Sequence, residues 1–250
     1  MSVYETKTSE ELLSGNRYPG RGIMIGKSAD GTKAAIAYFI MGRSENSRNR
    51  IFVEKGDEVE IYPFDASKVE DPSLIIYAPI RPFGSNQLIV TNGDQTDTIY
   101  DGLQVGKCFS EALKSRAFEP DAPNFTPRIS GLLTFDWNKK DFSYEMSILK
   151  SADEHGTACH RYTFEYAALA GVGHFIHTYR CDGNPIPTFQ GEPERVSIPN
   201  DIDVFASELW SSLDQNNKIS LYVRYVDLES GTITNKLINK NIGEVSNETI

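Results

Sequence analysis

Apolar residues fall along this chain in many short β-branched and aromatic stretches separated by Gly, Pro, Asn and Asp, the pattern of strands joined by turns. Strands are read over Gly22 to Ile25, Ala35 to Met41, Glu58 to Phe64, Ser73 to Ala78, Gln87 to Thr91, Ile129 to Phe135, Phe142 to Leu149, Arg161 to Ala167, His174 to Arg180 and Ile219 to Val226. A hairpin at Glu229-Ser230-Gly231 leads into a last strand, Thr232 to Leu237. Two stretches carry a helical period. In the first, Ile99, Leu103, Phe109, Leu113 and Ala117 recur behind Asp97 and Thr98 as N-caps; in the second, Val204, Phe205, Leu209 and Leu213 follow Asp201 and Asp203. Strands, helix, strands, helix, strands is an α+β order, which predicts two antiparallel sheets and few helices.

The 250 residues read as a single domain, with frayed tails over 1–16 and 240–250. The Pro-rich stretch Asn184 to Pro199 is the best boundary candidate, but too little chain follows it for a second core, so it is expected to be a long surface loop. At 39% hydrophobic and 24% charged the composition is that of a globular protein and excludes disordered or collagenous chains.

The longest apolar runs, such as Ala34 to Met41 and Leu74 to Ile80, fall short of the roughly 20 residues a membrane span needs. The polar start lacks a secretory pattern, and Cys108, Cys159 and Cys181 form no C-x-x-C pair, which together predict a cytoplasmic protein. A net charge of −10 argues against nucleic acid or an anionic membrane as partner. Yet between Arg17 and Arg50 there are seven basic residues against two acidic ones. That stretch is either a solvated surface or a pocket for a small anion such as a phosphomonoester.

No phosphate-loop, dinucleotide, α/β-hydrolase or zincin signature is present. Gly171-Val172-Gly173-His174 leads into a strand and reads as a turn, and His174 and His177, three apart on that strand, should point to opposite sides. No metal or cofactor is expected. Two polar segments stand out: Gly42 to Arg50, whose guanidinium groups suit phosphate oxygens, and Thr91 to Thr98, which is either a polar rim for a base or sugar or simply a helix cap.

Arg17-Tyr18-Pro19-Gly20-Arg21-Gly22-Ile23-Met24-Ile25-Gly26, the dipeptides Arg43-Ser44 and Asn49-Arg50, Tyr77 to Arg81, Val90-Thr91-Asn92-Gly93 with Thr96-Asp97-Thr98-Ile99, and Thr126-Pro127-Arg128-Ile129 occur in the order found in archaeal-type inosine monophosphate (IMP) cyclohydrolase, which the chain resembles over residues 17 to 131. The second half, including Gly173-His174 to Glu192-Pro193, looks like longer bacterial relatives. The resemblance implies an N-terminal-nucleophile-hydrolase-like fold, a four-layer α/β/β/α sandwich used without an autoprocessed nucleophile, and assembly into a homo-oligomer.

The implied reaction closes the purine ring of 5-formamidoimidazole-4-carboxamide ribotide to give IMP and water. Arg43 and Arg50, with Arg21 nearby, are then assigned to the ribose phosphate or the developing oxyanion, and Arg81 and Arg128 to second anion contacts. Tyr77 is the candidate proton donor, its alternative being a strand aromatic whose hydroxyl meets water. Asn92 and Asp97 would position the carboxamide, while Glu119 is either the base or an exposed loop carboxylate. Two alternatives stand beside this reading: a nucleotide-binding or regulatory protein without turnover, and another amidohydrolase with an N-terminal nucleophile. For the last, Ser2 sits in an unsuitable polar, extended context.

Overall fold

Alternation along each strand decides which core it feeds. In β2 (Lys33–Met41), Ala34, Ile36, Tyr38 and Ile40 enter one buried cluster, while Ala35, Ala37, Phe39 and Met41 enter another. Both faces are covered, so the strand is apolar without interruption. The structure, a computed structural model, describes residues 4–68 and 77–242.

Two antiparallel sheets result, in an α+β chain with few helices. The first contains β1 (Arg21–Lys27), β2, β10 (Val172–His177), β11 (Glu194–Ser197), β12 (Lys218–Asp227) and β13 (Ile233–Asn239), in the order β11-β10-β1-β2-β12-β13. The second runs β3 to β9 in chain order: β3 (Ile51–Lys55), β4 (Glu58–Tyr62), β5 (Ile80–Phe83), β6 (Gln87–Thr91), β7 (Arg128–Asp136), β8 (Asp141–Ser151) and β9 (Cys159–Ala167). Register is closed by pairs such as Arg21 with Ile40 and Ile25 with His174.

Residues of both sheets, among them Ile25, Ile36, Val90 and Met146, share one cluster. A second joins the first sheet to α1 (Ser9–Leu13) and α5 (Ile202–Ser212) through Leu13, Phe205 and Leu209. A third joins the second sheet to α3 (Gln95–Gln104) and α4 (Phe109–Ala112) through Ile99 and Phe109. A short α2 (Glu45–Arg48) leads from β2 towards β3.

Several expectations are corrected. The single helix expected through Ala117 is two: α3 starts earlier, behind Asp94, and stops where Gly106 takes φ +78, after which α4 restarts behind Cys108. The period survives the break because Ile99, Phe109 and Leu113 all face the third cluster. The Asn184 to Pro199 stretch is no mere surface loop, since it contains β11 and buries Ile186, Phe189, Val196 and Ile198. The expected N-terminal tail includes α1, capped by Thr8 and Glu11 and anchored by Leu13, only 1% exposed. Strands β3, β5 and β11 were not anticipated; the strand read over Ser73 to Ala78 falls largely outside the described residues, as do Ser2 and most of the expected C-terminal tail.

Candidate active site

Gly20, at φ +82, turns the chain into β1 so that Arg21 opens the strand. A side chain there would collide with Thr178 and Tyr179, so the turn is closely packed as well as left-handed. Tyr38, two positions before Ile40, the residue paired with Arg21, points into the space between the sheets and stacks on Phe52 at 5.4 Å. Its hydroxyl lies 3.2 Å from that of Tyr77, which donates to the Asn92 carbonyl oxygen at 2.7 Å. Each phenol has one proton, so Tyr38 donates to Tyr77 and Tyr77 to the backbone.

Glu119 and Tyr77 act electrostatically on both Arg21 and Arg50, and Glu119 and both arginines act on Tyr77, so the four lie around one space. The Nε atoms of Arg21 and Arg50 are buried without a hydrogen-bond partner. None of the ion pairs among the described residues includes either arginine. Burial first, and the like charge of Arg21 second, push Arg50 below its ordinary range. Burial also opposes the charge on Arg21, but Tyr18, Glu119, Tyr179 and Tyr77 outweigh it. Burial raises Tyr77, with Arg50 and Arg21 pulling the other way, so the phenol is neutral at pH 7 beside two groups that would stabilise its anion. Tyr38 is raised well above the usual phenol range, by burial and then by Tyr77.

The remaining candidates lie elsewhere or are already committed. Arg81, next in sequence to inward-facing Ile80, projects to the opposite face, where it meets Asp97 at 2.8 Å, Glu58 at 3.3 Å and the Tyr100 ring at 3.7 Å. Asp97 is therefore tied to Arg81. Arg128 donates to Asp94 at 2.6 Å and Gln95 at 2.8 Å, and Arg116 joins the same carboxylate. Arg43 is half-exposed, bound to Asp182 at 2.6 Å and lying over Tyr18 at 5.0 Å. Asn92 is 2% exposed, and its amide is taken up by Pro127, Ile129 and Gln95. It braces the loop and carries its backbone oxygen to Tyr77.

Sequence reasoning missed Tyr38. Its signal was a phenol within an apolar strand, because a buried hydroxyl needs a partner. His174 and His177 point to opposite faces, as expected: His174 meets the Tyr144 hydroxyl at 2.7 Å and stacks on Tyr166 at 3.6 Å, whereas His177 stacks on Phe175 at 4.6 Å. Burial first and Arg195 second push His174 down to about 4. Among the described residues no group of three or more His, Cys, Asp or Glu side chains is placed to hold a metal ion, and no helix is long and apolar enough to cross a membrane.

Two enclosed guanidinium groups outside any ion pair, beside a phenol pair and a carboxylate, have the chemistry to receive a small anion and to move a proton. The chain belongs to the IMP cyclohydrolase-like protein family, whose sequence profile matches residues 18–231. It is 39% identical to the IMP cyclohydrolase of Methanopyrus kandleri over 117 residues, covering 45% of this chain and 57% of that protein. Similarity to the IMP cyclohydrolases of Methanococcus aeolicus, 32% over 120 residues, and Methanothrix thermoacetophila, 33% over 122 residues, covers 46% and 47% of this chain. The match spans 58% of the length of each of these two relatives.

Proposed function

We propose that this protein closes the purine ring of 5-formamidoimidazole-4-carboxamide ribotide to give IMP and water. The observation that carries the reading is the Arg21 and Arg50 pair, two enclosed cations with buried, unpartnered Nε atoms. Family membership and the names of the relatives support it.

Both reacting groups sit on one imidazole, so the substrate brings its own proximity and the protein must orient, stabilise charge and move protons. The carboxamide nitrogen attacks the formyl carbon, and the carbonyl electron pair moves onto oxygen. Glu119 accepts the nitrogen's proton and returns it to the oxyanion to give the carbinolamine, while Arg21 and Arg50 hold the phosphate or stabilise that oxyanion. Glu119 then takes the proton of the formamido nitrogen as Tyr77 protonates the departing hydroxyl, which leaves as water. Tyr38 hydrogen-bonds the phenolate left behind until the proton on Glu119 finally restores the Tyr77 phenol. The three clusters, helix on sheet, sheet on sheet and sheet on helix, support the four-layer, N-terminal-nucleophile-hydrolase-like reading.

The test is incubation of pure protein with the formylated ribotide while the absorbance of IMP is followed. Steady production proportional to enzyme is expected. Firm IMP binding without turnover would instead select a nucleotide-binding protein.

A further inference from the structure

Within β12 the apolar run Leu221 to Val226 is broken by one charge: Arg224, between Val223 and Tyr225, is 1% exposed. It shares the inter-sheet face with Tyr222 and Val226. Its Nε donates to the Tyr222 hydroxyl at 2.9 Å and to Asn235 Oδ1 at 3.1 Å, and its Nη2 to the Asp57 carbonyl oxygen at 3.0 Å. All of these are neutral acceptors, and none of the ion pairs among the described residues includes Arg224. A positive charge therefore stands between the sheets with no carboxylate in ion-pair range, the nearest acidic groups that bear on its Tyr222 partner being Glu54 and Asp57.

Beside it lies a cavity of about 270 Å³ that Arg224 lines. Turn residues Asp57, Ser85 and Gly231 border the cavity, and Leu88, Val226 and Ile233 supply apolar wall. The Trp137 indole lies flat on Phe135, 4.7 Å between centroids, and its Nε1 donates to the Ser85 carbonyl oxygen at 3.0 Å, so the aromatic side is held in place. Trp137 and Ile233 are each 38% exposed. The lining shares no residue with the Arg21 enclosure.

We propose that this cavity binds a small monocarboxylate with an apolar body, its carboxylate on Arg224 and its body against Trp137 and the aliphatic wall. The volume lies at the lower end of small-molecule sites, which suits a small acid better than a nucleotide. Apolar walls favour an amphiphilic acid over inorganic phosphate, whose oxygens would find one cation and little else.

Phenylacetate is the probe, and the indole N–H resonance of Trp137 reports its binding, with Trp210 as internal reference. A saturable shift confined to Trp137 is expected, at least about tenfold weaker with phenylacetamide and in Arg224→Met, the change that loss of a buried ionic contact produces. No saturable shift in the wild type, or equal affinity for the amide, would overturn the proposal, as would undiminished binding by a folded Arg224→Met protein. Should that variant fail to fold, Ile233→Glu sets a carboxylate beside the cavity and should weaken binding by a similar factor; unchanged affinity would equally refute the proposal.

Discussion

The five arginines that the sequence offers as anion contacts fall into two groups, which the sequence presents alike and the fold treats oppositely. Arg81, Arg128 and Arg43 are each bound to an aspartate, at 2.8, 2.6 and 2.6 Å respectively, while Arg21 and Arg50 face inward with no carboxylate in ion-pair range among the described residues. One strand position separates the cases. Arg81 is adjacent to inward-facing Ile80 and so projects outward to Asp97, whereas Arg21 opens β1 beside a tight turn and is enclosed. Whether a guanidinium can recognise an anion depends less on its being present than on whether the fold has already neutralised it.

The sharpest way to break this contrast is Arg21→Gln. Turnover of the formylated ribotide should fall by roughly 1,000-fold, as for loss of a key charge-stabilising group. Removing the charge relieves Arg50 but also forfeits the attraction of Glu119, so the melting temperature should change little beside the kinetic loss. Steady-state kinetics beside a thermal melt check both. A stability loss matching the activity loss would make Arg21 a structural residue.

Tyr77→Phe should lower the turnover number by roughly 100-fold and leave IMP affinity nearly unchanged, because a proton delivered in the transition state adds little to ground-state binding. Unchanged turnover would return Tyr77 to a packing role.

His174 sharpens the comparison differently, as a basic group the fold keeps neutral. Its pKa is about 4 in the folded chain, against an ordinary value of 6.5, so between those values the unfolded chain binds more protons. Stability should therefore fall as pH drops through that window, by about 1 to 2 kcal/mol once the ring's partial exposure is allowed for. Urea midpoints at pH 7 and pH 4 should converge by that amount in His174→Phe; an unaltered pH dependence would show that other groups carry it.

The smallest effect is expected at Arg81→Gln. The pair with Asp97 is partly exposed, so stability should change by about 0 to 1 kcal/mol, and turnover should not change. A large kinetic defect there would dissolve the distinction between the two groups.

Much of the fold was legible because continuous apolar runs such as Ala34 to Met41 and Leu221 to Val223 read as strands covered on both faces. The break at Gly106 was hidden because the apolar period continues across it on one packed face. Strands β3 and β5 are short and carry charges, which weakens their alternation. At the site, the arginines were visible as a cluster but their sorting was not, since it depends on carboxylates distant in sequence, such as Asp182 beside Arg43. Asn92 looked like a substrate contact because the sequence cannot show that Pro127 and Ile129 already occupy its amide. Arg224 had a signal of its own, a lone charge inside the apolar run Leu221 to Val226.

Titrating IMP calorimetrically into wild type, Arg50→Gln and Arg81→Gln tests the central claim most directly. Wild type should bind one equivalent, Arg81→Gln should match it, and Arg50→Gln should lose about 2 to 5 kcal/mol of affinity, the cost of removing one partner of an enclosed charge pair. Wild-type affinity in Arg50→Gln, or an equal loss in Arg81→Gln, would contradict the claim that the unneutralised interior arginines hold the nucleotide.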